Sequence, residues 1–383
     1  MIEVNDGMTS TVYDVDTIQN WAAQMSDSVI KRNPELKHKW EYDNGVIFKG
    51  MELVYALTQD RKYLDYIRTN MDFFIEESGG IRSYRVDEYN IDHVNNGKLL
   101  FPLYRETGEE RYRQAADLLR QQLMKHPRTS EGAFWHKQIY PYQIWLDGLY
   151  MGAPFYAEYI REFADIKDYS DVTQQFKLCY QHTRDAQTGL LYHAWDEKKE
   201  QPWCDPTTGL SKNFWGRSMG WFVMALVDVL DILPEDQEDR ATIIQMLSET
   251  MEALMKVQDQ ASGVFYQVLN LPDAKGNYLE ASASCMILYA VAKGLRKGYL
   301  PERYQVKAEQ IRKGIIEEFI TITEEGLINL NKTCQVAGLG GKDKRDGTYA
   351  YYISEPIICN DPKGIGAFIL AMAEAELLNK TAQ

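Results

Sequence analysis

Two kinds of predicted helix alternate along the chain, and this alternation limits the possible folds more than any other pattern in the sequence. One kind is amphipathic with a charged face, in segments that begin at Arg61, Glu109, Glu238 and Pro301. The other kind is apolar or small on nearly every side, in six segments that begin at Asp43, Asn95, Asp147, Gly216, Ala281 and Asp361. These six recur at intervals of about 50 to 80 residues, which is typical of repeated helical hairpins.

The apolar helices need burial on every side, whereas an amphipathic helix needs only one covered face. The pattern therefore predicts an inner layer of apolar helices within an outer layer of amphipathic ones. Such hairpins either stack as an open solenoid or close into a double ring. Because the inner helices are too apolar to line a solvated groove, we predict an all-α fold, a closed (α/α)6 double-ring barrel, as a single domain over residues 1–383.

If the inner helices run parallel, their amino-terminal ends meet at one mouth of the barrel. Aromatic and polar residues cluster in those positions: the helix starts carry Tyr42, Asp92, Trp145, Asp147, Trp215 and Arg217, and the preceding loops carry His136, Lys137 and His193. Aromatic rings pack on the CH-rich faces of sugars, and short polar side chains bind their hydroxyls. The mouth is therefore predicted to bind a sugar, although core packing is the alternative for each tryptophan.

Asp147 is the leading candidate for a general acid. It lies between Trp145 and Leu149 in an apolar stretch, and such surroundings disfavour an ionised carboxyl. A carboxyl of this kind can donate a proton near neutral pH. Asp92 is the second candidate, and it would act in the same direction by like-charge repulsion if the two lie close together. An ordinary helix cap is the alternative interpretation of Asp92.

Arg217, Lys137, His136 and His193 form a cationic group in a chain whose net charge is −14. A positive cluster in an acidic protein predicts a ligand that itself carries a carboxylate, which a bidentate arginine binds well. For each histidine taken alone, a solvated or hydrogen-bonded side chain is the alternative. The predicted partner is thus a small anionic oligosaccharide, and the oligomeric state stays open.

Overall charge and missing motifs argue against several function classes. The negative surface repels nucleic acid and acidic lipid, and the longest apolar run, residues 221–227, is too short to span a membrane. Neither an HExxH zinc motif nor a GxxxxGK[ST] phosphate loop occurs, so no metal or other cofactor is predicted. The five cysteines are an odd and scattered set and no secretory signal is visible, which predicts a cytoplasmic location.

The glycine-rich segment VAGLGGKDKRDGT, residues 336–348, lacks the preceding strand and the following helix start of a phosphate loop. We interpret it instead as a loop that covers the barrel mouth.

Five stretches of the chain resemble the motifs of unsaturated rhamnogalacturonyl hydrolases, glycoside hydrolase family 105. They are WEYDNGVIFKGM, IDHVNNGKLLFPLYRETG, FWHKQIYPYQIWLDGLYMGAPF, NFWGRSMGW and YYISEPIICNDPKGIGAF. The resemblance spans almost the whole chain, and the block around Asp147 and the WGR at Trp215 are its most specific parts. It implies the same (α/α)6 barrel that the helix pattern predicts.

The resemblance also implies a metal-free hydrolysis of a 4,5-unsaturated galacturonic acid at the non-reducing end of rhamnogalacturonan fragments. In that family the aspartate that matches Asp147 protonates C4 of the enol ether and then deprotonates the water that adds at C5. Asp92 would orient the sugar or tune Asp147. The positions that match the substrate-lining residues of the family are Tyr42, His136, Lys137, Trp145, His193, Trp215 and Arg217.

Two alternatives remain open from the sequence. A hydrolase of unsaturated glucuronyl or other galacturonyl oligosaccharides would share the fold and the acid, because the pocket for the second sugar sets the preference. A helical scaffold that binds proteins would show no turnover.

Overall fold

The computed structural model describes residues 20–36 and 39–381. Its α-helices are α1 Trp21–Arg32, α2 Tyr42–Thr58, α3 Arg61–Phe74, α4 Leu100–Thr107, α5 Glu110–Lys125, α6 Leu146–Phe163, α7 Ser170–Thr183, α8 Gly216–Leu230, α9 Arg240–Lys256, α10 Ala281–Arg296, α11 Gln305–Phe319, α12 Tyr349–Ser354 and α13 Pro362–Thr381. Short 3-10 helices cover Val86–Glu88, Ile91–Leu99 and Glu302–Tyr304. Residues 1–19, 37–38 and 382–383 of the predicted domain, including its acidic amino terminus, lie outside the described residues.

The inner helices form a closed ring. In order around the ring they are α2, the 3-10 helix Ile91–Leu99 with α4, then α6, α8, α10 and α13; each packs on the next, and α13 packs back on α2. The outer layer consists of α1, α3, α5, α7, α9 and α11, each packed on an inner helix. The predicted (α/α)6 barrel is confirmed. Helices α1 and α7 complete the outer layer beyond the four amphipathic segments that the sequence pattern identified.

Burial follows the two sequence patterns. In α8 every residue except Asp228 is buried, as a helix enclosed on all sides requires. In α3 one face is covered, and its buried residues are Tyr63, Leu64, Tyr66, Ile67, Asn70, Met71 and Phe74. An amphipathic pattern thus indicates an outer helix, and a continuous apolar pattern indicates an inner helix.

A pair of glycines allows the ring to close between its first and last inner helices. A Cβ atom on Gly366 of α13 would lie 2.5 Å from the backbone carbon of Val46 in α2. A Cβ atom on Gly50 of α2 would lie 2.8 Å from Ile369 in α13. Only glycine permits this approach without a shift of backbone, so these two positions set the distance between the helices.

Short antiparallel strand pairs depart from the purely helical expectation. In the described chain they are β1 Gln143–Trp145 with β2 Ala194–Asp196, β3 Ile320–Ile322 with β4 Ile328–Leu330, and β5 Thr333–Cys334 with β6 Ile357–Ile358. Strands of two or three residues are too short to show an alternating pattern in the sequence. The first pair matters for the site, because it places Trp145 opposite Ala194 and so sets the chain before α6 beside His193.

Two further observations concern the chain as a whole. Cys179, Cys204, Cys285 and Cys334 are buried, Cys359 is exposed, and all five are free thiols. Within the described ranges, the helices are all too short or too polar to cross a bilayer.

Candidate active site

Asp147 and His193 meet at the barrel mouth because the β1–β2 pair holds their segments together. Asp147 lies in the first turn of α6, and the Leu146 amide before it donates to the His193 carbonyl at 3.1 Å. Asp147 Oδ2 lies 3.3 Å from His193 Nε2. The His193 side chain is fully buried, whereas that of Asp147 keeps 14% exposure. Asp147 Oδ2 and His193 Nε2 face each other as buried atoms without another hydrogen-bond partner in the described structure, and the rest of the Asp147 carboxyl is partly exposed.

Asp92 forms the second acidic position, at the start of the 3-10 helix Ile91–Leu99. Its Oδ2 lies 2.7 Å from Lys137 Nζ, and its Oδ1 lies 3.6 Å from His136 Nε2. Burial favours the neutral acid, but Lys137 and His136 outweigh it and hold the pKa of Asp92 below its usual value. The side chain that caps this helix is Asn90, which accepts from the Asp92 amide at 3.1 Å. Asp92 is thus a paired carboxylate and not the cap.

Lys137 and His136, neighbours in one loop, carry different charge. Burial alone would lower the pKa of Lys137, but the adjacent Asp92 raises it, so the ammonium persists. Burial lowers the pKa of His136 to about 4, and the nearby carboxylate of Asp92 only partly opposes this. His136 is therefore neutral near pH 7, contrary to its expected place among the cations, because its ring is enclosed by protein.

The His136 ring lies parallel to Trp145, with centroids 4.5 Å apart and an interplanar angle of 9°. Tyr140 also stacks on Trp145, at 5.1 Å and 8°. A Cβ atom on Gly148 would lie 3.1 Å from His136 Nδ1, so glycine in the first turn of α6 lets the helix approach this ring. Trp145 Nε1 donates to Gln143 Oε1 at 3.0 Å. These contacts fix the wall beside Asp147.

Trp215 and Arg217 form the opposite wall at the start of α8. The Trp215 ring lies 4.7 Å from His193, and its Nε1 donates to Gln267 Oε1 at 3.0 Å. Arg217 places its guanidinium over Trp215, 4.9 Å from the ring centroid, and donates through Nη1 to the Cys334 carbonyl at 2.7 Å. Arg217 Nη2 is buried and has no hydrogen-bond partner in the described structure. One nitrogen of this buried cation therefore has no hydrogen-bond partner among the described residues.

Tyr42, the first residue of α2, connects the two walls. Burial raises the pKa of its hydroxyl well above the usual value, and the charges of Asp92, Arg217 and Asp147 all act on it. The nine residues predicted for the mouth thus lie in one connected neighbourhood. Asp92 groups with His136 and Lys137, Asp147 groups with His193, and Trp145, Trp215, Arg217 and Tyr42 surround them.

Several residues at the mouth were not identified from the sequence. Tyr140 and Gln143 lie in the quoted FWHKQIYPYQIWLDGLYMGAPF block and could have been found there. Tyr352 lies in the quoted YYISEPIICNDPKGIGAF block, but only the fold brings it to His193, and Gln267 reaches Trp215 from a segment outside the quoted blocks. Arg345, in the glycine-rich segment 336–348, donates to the Tyr140 hydroxyl at 3.0 Å. That segment therefore reaches the mouth.

The sequence contains a serine motif that does not have its usual catalytic meaning in this structure. Residues Gly216–Gly220 fit the G-x-S-x-G pattern of a serine nucleophile on a strand-to-helix turn. Here Ser218 lies within the first turn of α8, is fully buried, and donates to the Trp215 carbonyl at 2.9 Å. Its hydroxyl serves the helix start, so the pattern does not indicate a nucleophile.

Comparisons with known proteins identify the family. Residues 15–378 match the profile of Glycosyl Hydrolase Family 88. A family 105 glycoside hydrolase from C. acetobutylicum ATCC 824 is 55% identical, with a TM-score of 0.92 over 94% of this chain and 100% of that one. The unsaturated rhamnogalacturonyl hydrolase YesR of Bacillus subtilis (strain 168) is 28% identical over 81% of this chain and 85% of its own length.

The unsaturated glucuronyl hydrolase from Bacillus sp. GL1 shares the fold, with a TM-score of 0.66 and 14% identity over 92% of this chain and 94% of that one. These matches confirm the resemblance seen in the motifs. The chain therefore belongs to the glycoside hydrolases of families 88 and 105, and it is a hydrolase of unsaturated uronyl oligosaccharides.

Proposed function

We propose that the chain hydrolyses the 4,5-unsaturated galacturonyl residue at the non-reducing end of rhamnogalacturonan oligosaccharides, with Asp147 as the proton donor. The observation that carries the proposal is the Asp147 carboxyl, partly exposed and 3.3 Å from a buried histidine. The 28% identity to a rhamnogalacturonyl hydrolase supports the choice of galacturonyl and rhamnose.

The proposed reaction consumes one water molecule. Asp147 transfers its proton to C4 of the enol ether, and positive charge develops at C5 and the ring oxygen. Water adds at C5 while the Asp147 carboxylate accepts its proton. The resulting hemiketal opens to a ketone at C5, and the hemiacetal left at C1 releases the second sugar as an alcohol. A single carboxyl thus serves as acid and then as base, unlike the carboxyl pair of most glycosidases.

Asp92 takes a different role in this proposal. Its lowered pKa keeps it ionised, so it cannot supply the proton. It holds Lys137 at 2.7 Å and offers its carboxylate oxygens to sugar hydroxyls. Asp92 therefore orients the sugar and the lysine, and Asp147 alone transfers protons.

The substrate carboxylate is assigned to the two persistent cations, Lys137 and Arg217. Arg217 has a buried Nη2 without a partner in the described residues, which an anionic ligand would satisfy. Trp145 and Trp215 are 5% and 2% exposed, so we assign them to the walls and to the support of His193, with only their edges facing the sugar. Tyr42 completes the lining through its hydroxyl.

The test of this proposal is the loss of enol-ether absorbance with an unsaturated galacturonyl-rhamnose disaccharide. Replacing Asp147 by asparagine keeps its size but removes the proton, so kcat should fall by about 10²- to 10⁴-fold. Asp65→Asn is the matched control, because Asp65 lies on outer helix α3 with 64% side-chain exposure, and this variant should keep wild-type activity. Wild-type activity in Asp147→Asn would refute the mechanism.

A hydrolase of unsaturated glucuronyl oligosaccharides is the second candidate, favoured by the shared fold with the Bacillus sp. GL1 enzyme. A panel of lyase products that differ in the uronyl and in the second sugar separates the two. The rhamnogalacturonan proposal expects the highest kcat/KM for galacturonyl-rhamnose. Family membership argues against the scaffold alternative.

We also propose a cytoplasmic location, and a single catalytic unit over the chain. The five free thiols support the first, since a reducing compartment preserves them.

A further inference from the structure

The side of His193 away from Asp147 is occupied by a tyrosine. His193 Nδ1 lies 2.7 Å from the hydroxyl of Tyr352, and its Nε2 lies 3.3 Å from Asp147 Oδ2. Tyr352 and His193 are both fully buried. The three side chains therefore form a line from the interior of the protein to the proton donor of the proposed reaction.

The burial of Tyr352 indicates which atom donates in the contact with His193. The Tyr352 hydroxyl makes this one polar contact among the described residues. If it accepted a proton from Nδ1, its own hydrogen would be buried without a partner, which is costly. If it donates, both groups are satisfied, and His193 must carry its proton on Nε2.

We propose that Tyr352 is a positioning residue that holds His193 in the Nε2–H tautomer, so that Asp147 Oδ2 faces a donor. This inference rests on the proposed function of Asp147. With Oδ2 directed at a donor, the proton for transfer lies on Oδ1. After transfer, Nε2–H stabilises the new carboxylate. The 3.3 Å separation is longer than an ideal hydrogen bond, and such contacts commonly tighten when substrate binds.

The surroundings of Tyr352 fix the position of its hydroxyl. Gln267 Nε2 donates to the Tyr352 carbonyl at 3.1 Å, and Gln267 Oε1 accepts from Trp215 Nε1 at 3.0 Å. The Trp215 ring in turn lies against His193. One glutamine thus ties the tyrosine and the tryptophan to the same histidine.

The titratable groups that act on the His193 ring come from three elements. Asp147 faces it from α6 and Tyr352 from α12, and His136 in the loop before β1 interacts with it electrostatically. Burial keeps the pKa of His136 at about 4, so the charge of His136 does not change near pH 7. If substitution of Tyr352 shifts the pH profile of kcat/KM, the shift therefore reflects the contacts that connect Tyr352 through His193 to Asp147.

The first measurement is the tautomer of His193 in the intact wild-type protein, by ¹⁵N NMR of the imidazole, with His193→Gln used to assign its signal among six histidines. We expect the proton on Nε2. The spectrum needs no substrate and no variant of Tyr352, so a failure of the proposed activity would not affect this result. A proton on Nδ1 would overturn the inference.

The second measurement uses Tyr352→Phe, which keeps the ring and removes the hydroxyl. Because Nδ1 then has no donor to hold the ring in place, we expect a fall in kcat of about tenfold to a hundredfold and a KM near wild type. The alkaline limb of kcat/KM should move to higher pH, because Nε2–H is no longer fixed toward the Asp147 carboxylate.

The control is Tyr349→Phe in the same helix, because the Tyr349 hydroxyl donates to the Ala274 carbonyl at 3.0 Å, away from His193. It should keep the wild-type tautomer, kcat and pH profile. Thermal unfolding followed by circular dichroism verifies that both variants fold. A folded Tyr352→Phe that retains the wild-type kcat and pH profile would overturn the positioning role.

Discussion

The residues of the mouth are divided into those kept charged and those kept neutral. Asp92 and Lys137 hold each other in the ionised state, and Arg217 remains charged despite full burial because carboxylates such as Glu280 and Asp361 act on it. His136 lies within 3.6 Å of Asp92 and yet stays neutral, because burial outweighs the attraction. The cations of this cluster near pH 7 are thus Lys137 and Arg217, and His136 is not among them.

The buried histidines predict a pH dependence of folding. Burial lowers the pKa of His126 and of His136 from 6.5 to about 4. Above pH 6.5 both are neutral in either state, and as pH falls from 6.5 to 4 only the unfolded chain binds the protons. Stability should therefore decrease with falling pH across this window, by at most about 1.4 kcal/mol per pH unit for each histidine.

Denaturant unfolding at several pH values measures this effect. His136→Gln should remove part of the pH dependence between pH 6.5 and 4, since His126 and His93, whose pKa burial also lowers, keep the rest. His182, which is partly exposed beside Glu131, provides a matched substitution, His182→Gln, that leaves both buried histidines in place. An identical slope in wild type and His136→Gln would contradict the neutral assignment.

Among the elements, the contact between α2 and α13 decides whether the helices form a ring or an open array. Gly366 and Gly50 allow the close approach there, and apolar residues of both helices cover the remaining surface. The sequence predicted a closed ring, and hence that its first and last inner helices touch, but not that Gly50 and Gly366 form the contact. Closure follows from packing between segments at opposite ends of the described chain.

Gly366→Ala tests this contact. The new methyl group would lie 2.5 Å from the Val46 backbone, so helix α2 must shift, at a cost of about 1 to 3 kcal/mol in the free energy of unfolding. Lys380→Ala, at the exposed end of the same helix, should cost less than about 0.5 kcal/mol. Urea unfolding measures both. Equal stability of Gly366→Ala and wild type would show that the backbones are not in contact.

At the scale of the whole molecule, the two mouths of the barrel differ in whether their cations are paired with groups of the protein. The carboxyl ends of the inner helices surround a cavity of about 310 Å³ lined by ion pairs, among them Lys293 with Asp228 and Arg296 with Glu374. Buried Lys98 lies there over the Tyr150 ring and donates to the Tyr150 carbonyl. These cations have partners within the protein, whereas Arg217 at the other mouth has one buried nitrogen without a hydrogen-bond partner among the described residues.

The Arg296–Glu374 pair predicts a large effect at the far mouth. Glu374 is 2% exposed and accepts two hydrogen bonds from Arg296, at 2.7 and 2.8 Å. Glu374→Gln leaves the half-buried Arg296 guanidinium without its counter-ion, which should cost about 1 to 3 kcal/mol of stability. Glu317→Gln, in the exposed pair with Lys313, should cost less than about 1 kcal/mol. Activity of folded Glu374→Gln should stay near wild type.

The sequence predicted the helical layers and the residues of the mouth because both depend on local order. Apolar faces repeat at helical spacing, and the ends of parallel helices meet at one place. The contact between His193 and Tyr352 joins residues that are 159 positions apart, so no local sequence pattern predicts it. The short strands that align Asp147 with His193 were missed for a related reason, since a pair of three-residue strands is defined by its partner.

The closed ring has a consequence for how such enzymes diversify. The candidate site residues lie either at the starts of the inner helices or in the loops between helices, and each inner helix packs against two neighbours in the ring. A change in one loop, such as the stretch bearing Arg345, can therefore alter the mouth while the ring of inner helices keeps its packing. The ring of helices stays constant while the loops at the mouth can change. Selection for new polysaccharides can therefore act on these loops.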